Sequence, residues 1–208
     1  MATATLSCLA PPALRDLAAL PHDDYDILTR VTRDHEAFKD VFITCTSPGM
    51  AAAEKLAAVH DLVRLVSLHS QAEEMVLYPL ARAFLPEGAQ ATDSDIEFHV
   101  RLRHELSSLS WSSAEPGALE QKLARAWATL AAHMREEEAA LLPAIARCVP
   151  HERRVAAGHL FSGVKLLSCS RPHVAAPTTP PFNIGANALT APLDWAMDMW
   201  RFGNAPPL

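Results

Sequence analysis

The stretch that decides the fold is His69-Ser70-Gln71-Ala72-Glu73-Glu74-Met75-Val76-Leu77-Tyr78-Pro79, because it occurs twice. Displaced by 64 residues (133 against 69), the chain reads His133-Met134-Arg135-Glu136-Glu137-Glu138-Ala139-Ala140-Leu141-Leu142-Pro143. The shared frame is H-x-x-x-E-E-x-x-L-x-P, and the same displacement carries His35 onto His99. The sequence is therefore two related halves, each offering a lone histidine and then a His-x-x-x-Glu pair.

Residues i and i+4 of an α-helix differ by about 40° around the axis and about 6 Å along it, so their side chains share a face. His69 shares one with Glu73, and His133 with Glu137. That face is apolar: Leu62, Leu65 and Val66 precede His69, while Val76, Leu77 and Leu80 follow Glu73. Ala126, Leu130, Leu141 and Ile145 surround the second pair, and His35 and His99 sit between Val31 and Phe38 and between Ile96 and Leu102.

Outward from the repeat, four stretches carry three- and four-residue apolar periodicity. They run from about Asp24 to Cys45, Ala51 to Leu85, Ser94 to Trp111 and Ala118 to Val149. Thr46-Ser47-Pro48-Gly49, Pro86-Glu87-Gly88 and Glu115-Pro116-Gly117 interrupt them, proline lacking a donor and glycine favouring a turn. Short connections between long amphipathic helices predict an all-α, up-down-up-down antiparallel four-helix bundle over residues 23–149. Residues 1–22 are read as a flexible lead. Eight of the sixteen prolines lie in 150–208, so that stretch is read as an irregular Pro-rich extension without a continuous helix. It carries a short amphipathic helix near 193–202 (Leu193, Ala196, Met197, Trp200) that packs across the bundle or takes a protein partner.

Four imidazoles and two carboxylates thus point into one apolar interior. A carboxylate buried without a partner costs several kcal/mol or neutralises itself. Two such glutamates, each beside a histidine, call for a cation. Neutral imidazole with carboxylate and no thiolate suits iron or manganese better than a closed structural zinc site.

The pattern His35, His69-x-x-x-Glu73, His99, His133-x-x-x-Glu137 resembles the hemerythrin-like HHE cation-binding domain over residues 24–149. The resemblance implies a bundle with two non-heme iron ions, oxo- or hydroxo-bridged, ligated by His35, His69, Glu73, His99, His133 and Glu137. It implies binding, sensing or handling of O₂, NO, peroxide or iron itself. One position departs: oxygen carriers of this family use a second histidine four residues after the third-helix ligand, and Arg103 stands there. His104 is about 140° away from His99 on the wheel and does not replace it. Open positions on both metals favour redox turnover over reversible carriage, so a di-iron oxidoreductase acting on peroxide or a small substrate is the alternative, and a metal-free structural bundle the third reading.

The remaining polar residues receive simpler readings. Glu74 and Glu138 lie about 140° from their histidines and are placed beside the ligands rather than among them. Tyr78 is read as packed, His60 as solvated, and Pro79 and Pro143 as structural, each leaving a carbonyl four residues back unpaired. A net charge of −6 without a Lys/Arg block argues against nucleic acid. No apolar run approaches the ~20 residues of a membrane span. Cys8, Cys45, Cys148 and Cys169 form no CxxC pair and fit a reducing compartment. The N-terminus has no signal-peptide pattern and, with Arg15 as its sole cation, is a weak organellar leader at most; a cytoplasmic location is expected.

Overall fold

A computed structural model describes residues 24–110, 117–168 and 170–173. The described residues form helices and connections, without a strand. Helix α1 spans Ile27–Thr46. Helix α2 (Ala52–Ala72) passes through a π-helical turn, Glu73–Leu77, into α3 (Tyr78–Phe84). Helix α4 spans Gly88–Ser110, and α5 (Ala118–Glu136) passes through a second π turn, Glu137–Leu141, into α6 (Leu142–Cys148). Helix α7, His151–Leu167, completes the described elements.

Local chemistry explains the ends. The Asp26 carboxylate caps α1 by accepting from the Leu28 N–H at 3.0 Å. The α1–α2 connection turns at Gly49, whose φ of +80° is the left-handed region that glycine enters without strain. The Glu54 carboxylate closes the first turn of α2 by accepting from the Ala51 N–H at 3.1 Å.

The two π turns fall at the same place in both copies of the repeat. Each starts on the glutamate of the His-x-x-x-Glu pair and ends two residues before a proline. The Tyr78 N–H donates to the Glu73 carbonyl and the Leu142 N–H to the Glu137 carbonyl, each five residues back. Pro79 and Pro143 cannot donate; the widened turn hands over the hydrogen-bond ladder just before each of them. The lost donors therefore fall in the first turn of a new α segment, where a missing N–H is tolerated.

The four-helix bundle is as the periodicity predicts: α1 packs along α2, α4 along α5, and α3 on α4. Two apolar clusters fill it. One gathers Ile27, Val31, Val76, Leu77, Leu141, Ile145 and Phe161; the other gathers Phe38, Val59, Leu62, Val66, Leu102, Leu106, Leu123 and Leu130. Between them, at the level of His35, lies a polar layer.

Two elements differ from expectation. Helix α4 begins at Gly88, not near Ser94: Ala89 to Asp93 carry no apolar stripe that would show it, and the buried Thr92 hydroxyl ties this turn by accepting from Arg82 Nε and donating to the Gly88 carbonyl. The larger correction is α7, since the proline content of residues 150–208 predicts no continuous helix there. Seven of the eight prolines there lie at 172 or beyond, and the proline-free run from His151 to Leu167 starts behind Pro150 as its N-cap. Helix α7 packs on α1 and α2. Its Gly158 lies so close that a Cβ there would sit 1.7 Å from the Tyr25 carbonyl oxygen. The helix suggested for 193–202 and the lead at 1–22 lie outside the described residues. Among the described residues no helix is long and apolar enough to cross a membrane.

Candidate metal centre

The six side chains singled out by the repeat meet in the polar layer. His35 comes from the middle of α1, His69 from the last turn of α2, His99 from α4 and His133 from the last turn of α5. Glu73 and Glu137 open the two π turns. None of the six is more than 2% exposed.

All four imidazoles aim Nε2 inward. His69 Nε2 lies 2.9 Å from Glu73 Oε1, and His99 Nε2 lies 3.2 Å from Glu73 Oε2. His35 Nε2 and His133 Nε2 lie 3.5 and 3.6 Å from Glu137 Oε2, and the His99 and His133 Nε2 atoms approach to 3.1 Å. Donor atoms of His35, His69, Glu73 and Glu137 form one group within 4.8 Å, and those of Glu73, His99 and His133 form a second, so Glu73 is common to both.

The opposite ring nitrogens explain why Nε2 faces in. His69 Nδ1 meets Asp34 at 2.8 Å, His35 Nδ1 meets Glu138 at 2.9 Å and His99 Nδ1 meets Glu74 at 3.0 Å. His133 Nδ1 faces Asp95 at 3.7 Å, beyond hydrogen-bond range. An imidazole that donates Nδ1–H to a carboxylate presents Nε2 as a lone pair, which is how proteins orient histidine toward a metal. Further cations hold the carboxylates in turn. Lys165 of α7 reaches Asp34 at 2.7 Å, and Arg103 reaches Glu74 at 3.0 Å.

The charge balance shows what the layer lacks. Burial alone would lower the His35 and His99 pKa values. Contacts with Glu137 and Glu138 instead push His35 up to about 9, and contacts with Glu73 and Glu74 push His99 up to about 10. Burial would raise Glu73, but His69, His133 and His99 hold it well below the usual carboxylate range. The layer thus recruits protons to balance its carboxylates. Even so, His35 Nε2, His69 Nε2, both Glu73 oxygens and Glu137 Oε2 are buried without an aligned hydrogen bond. Buried polar atoms are rarely left so. Lone-pair nitrogens and carboxylate oxygens converging on one spot are the donor set of a hard-to-intermediate divalent cation, and these residues fit one.

Three further residues belong to the layer. The Tyr78 hydroxyl, expected only to pack, lies 3.1 Å from His99 Nε2 and donates to Glu137 Oε1 at 3.2 Å. Asp95 is 3% exposed and was not singled out, although Asp95-x-x-x-His99 repeats the four-residue spacing in reverse order. Burial first, then the charges of Glu137 and Glu73, push its carboxyl up to about 8. Asp34 had no such signal, because its partners His69 and Lys165 come from other helices. His60, expected in solvent, is half-buried.

Comparison with known proteins agrees with the family resemblance carried by the repeat. A sequence model described as the hemerythrin HHE cation-binding domain matches residues 26–145, a range that contains all six residues. An uncharacterized hemerythrin-like protein of Schizosaccharomyces pombe is 27% identical over 132 residues, or 63% of this chain. The match spans 65% of that relative's own length. No solved structure matches.

Proposed function

The chain belongs to the hemerythrin HHE cation-binding domain family, and on that premise we propose that it holds two non-heme iron ions and binds, senses or handles O₂, NO or iron through them. The observation that carries this reading is that His35 Nε2, His69 Nε2, both Glu73 oxygens and Glu137 Oε2 converge in the layer, buried without an aligned hydrogen bond. His35 and His69 would hold one ion, His99 and His133 the other, and Glu73 and Glu137 would be shared. Bound iron supplies redox and ligand-binding chemistry toward O₂, NO or peroxide.

The protein's own contribution is orientation and dryness. Asp34, Glu138 and Glu74 fix three ring tautomers. The apolar clusters exclude water from both sides of the layer, and Phe38 and Phe161 meet the His69 ring edge-on at centroid distances of 5.0 and 5.8 Å. A dry site strengthens every electrostatic contact made in it.

One observation favours the oxidoreductase as a second reading. Turnover needs groups that hold and deliver protons, and two stand at the layer: the Tyr78 hydroxyl, which donates to Glu137 Oε1, and the buried Asp95 carboxyl, which faces His133 Nδ1 at 3.7 Å. A carrier has less use for either.

Metal analysis of protein purified from iron-replete medium tests the proposal. About two iron ions per chain are expected, and His69→Ala should retain half or less. Wild-type protein with only trace iron overturns the reading. An anaerobic O₂ titration then separates the two uses: a visible band that vanishes under vacuum supports binding, and peroxide consumption lost in His69→Ala supports turnover.

A further inference from the structure

A cavity of about 440 Å³ opens where α3 meets α4 and runs along α4, the second π turn and α6. Its walls change from outside to inside. Glu87, Glu136 and Arg147 are exposed at the mouth, Ala144 is half-buried, and Asp95 and Glu137 are buried. Glu137 is thus both a wall of the cavity and a member of the centre. Donor atoms of Asp95, His133 and Glu137 lie within 4.8 Å of one another, a third group distinct from the two built on Glu73. Glu137 Oε2 and His133 Nδ1 are buried there without hydrogen-bond partners.

We propose that this cavity is the route by which a divalent cation reaches and leaves the centre, and that Asp95, His133 and Glu137 form a transit site at its inner end. The inference rests on the metal-binding reading above. A hydrated cation cannot cross the apolar clusters, because stripping it of water without replacement ligands costs several kcal/mol or more. Carboxylates spaced along a cleft concentrate cations at the mouth and replace lost water stepwise. Glu87 and Glu136 do the first, against a single Arg147, and Asp95 with Glu137 does the second. A small anion meets the opposite field.

The test follows metal release from the as-purified full chain into excess chelator, and reloading with cobalt(II), read by its visible bands. Asp95→Asn keeps the size of the side chain but removes the carboxylate that a transit ligand needs. Ala144→Phe plugs the cavity without touching a ligand. Ala144→Phe is expected to retain the wild-type metal content, and in both variants release and reloading slow together by tenfold or more. The direction of the release rate is decisive. Loss of a resident or positioning ligand speeds release, whereas loss of a transit site slows it. Release as fast as wild type, or faster, in both variants overturns the route. Wild-type protein purified without metal is a different result, and it overturns the underlying metal reading instead.

Discussion

His35 and His99 keep a proton at neutral pH as long as no cation replaces it, being raised to about 9 and about 10 by the glutamates around them. A metal takes imidazole only as a neutral lone pair, so binding must expel those protons. Metal uptake at pH 7 is therefore expected to release protons and to tighten as pH rises. Titration calorimetry in two buffers of different ionisation heat measures the number released. A heat independent of buffer would mean that neither histidine gives up a proton to the metal. The same residues mark the limit of what single positions disclose. The six side chains were legible because helical spacing alone puts them on buried faces. Asp34 was not, since its contact with His69 is made between helices. The Tyr78 hydroxyl depends on a widened turn, which the two prolines announced without specifying.

At the scale of elements, α7 is the piece that apolar periodicity and proline counting both overlooked. Averaging the prolines over 150–208 hid a clean helical run at its start. The charged residue that fastens it is Arg154, 4% exposed, whose Nε donates to Asp26 at 2.9 Å and whose Nη1 donates to the Ala146 and Val149 carbonyls at 3.1 Å. One guanidinium thus ties the N-cap of α1, the end of α6 and α7 together. Removing one partner of a buried pair leaves the other uncompensated, at a cost of about 3–5 kcal/mol. Arg154→Ala should lower unfolding free energy by about that much, measured by urea denaturation of metal-loaded protein. A loss below about 1 kcal/mol would show that Asp26 finds water and that α7 is held by its apolar face alone. Helix α7 also carries Lys165, which holds Asp34 against His69, so loosening it should reach the metal layer. Arg154→Ala is accordingly expected to release metal faster than wild type.

Considered as a whole, the molecule is two apolar cores separated by a layer that is stable only when its charges are balanced. Without metal, protons supply the balance, and the sign of the pH dependence follows. A histidine whose folded pKa is raised stabilises the fold fully below about 6.5 and loses that contribution as pH climbs toward 9 or 10. Asp95, a carboxyl raised to about 8, disfavours the fold increasingly as pH rises from about 4 through that value. The shifts at Asp95, His35 and His99 therefore act in one direction, and metal-free protein should melt at progressively lower temperature between pH 6 and pH 10. Metal-loaded protein should not, because its histidines carry no proton to lose and Glu73 and Glu137 face a cation throughout. Binding that is saturated a thousandfold over Kd adds about 4 kcal/mol, several degrees in a domain of this size. The gap between the two melting curves is accordingly expected to widen with pH, until hydroxide competes for the metal. Parallel curves, scanned with and without chelator, would place the metal outside the layer that joins the two cores.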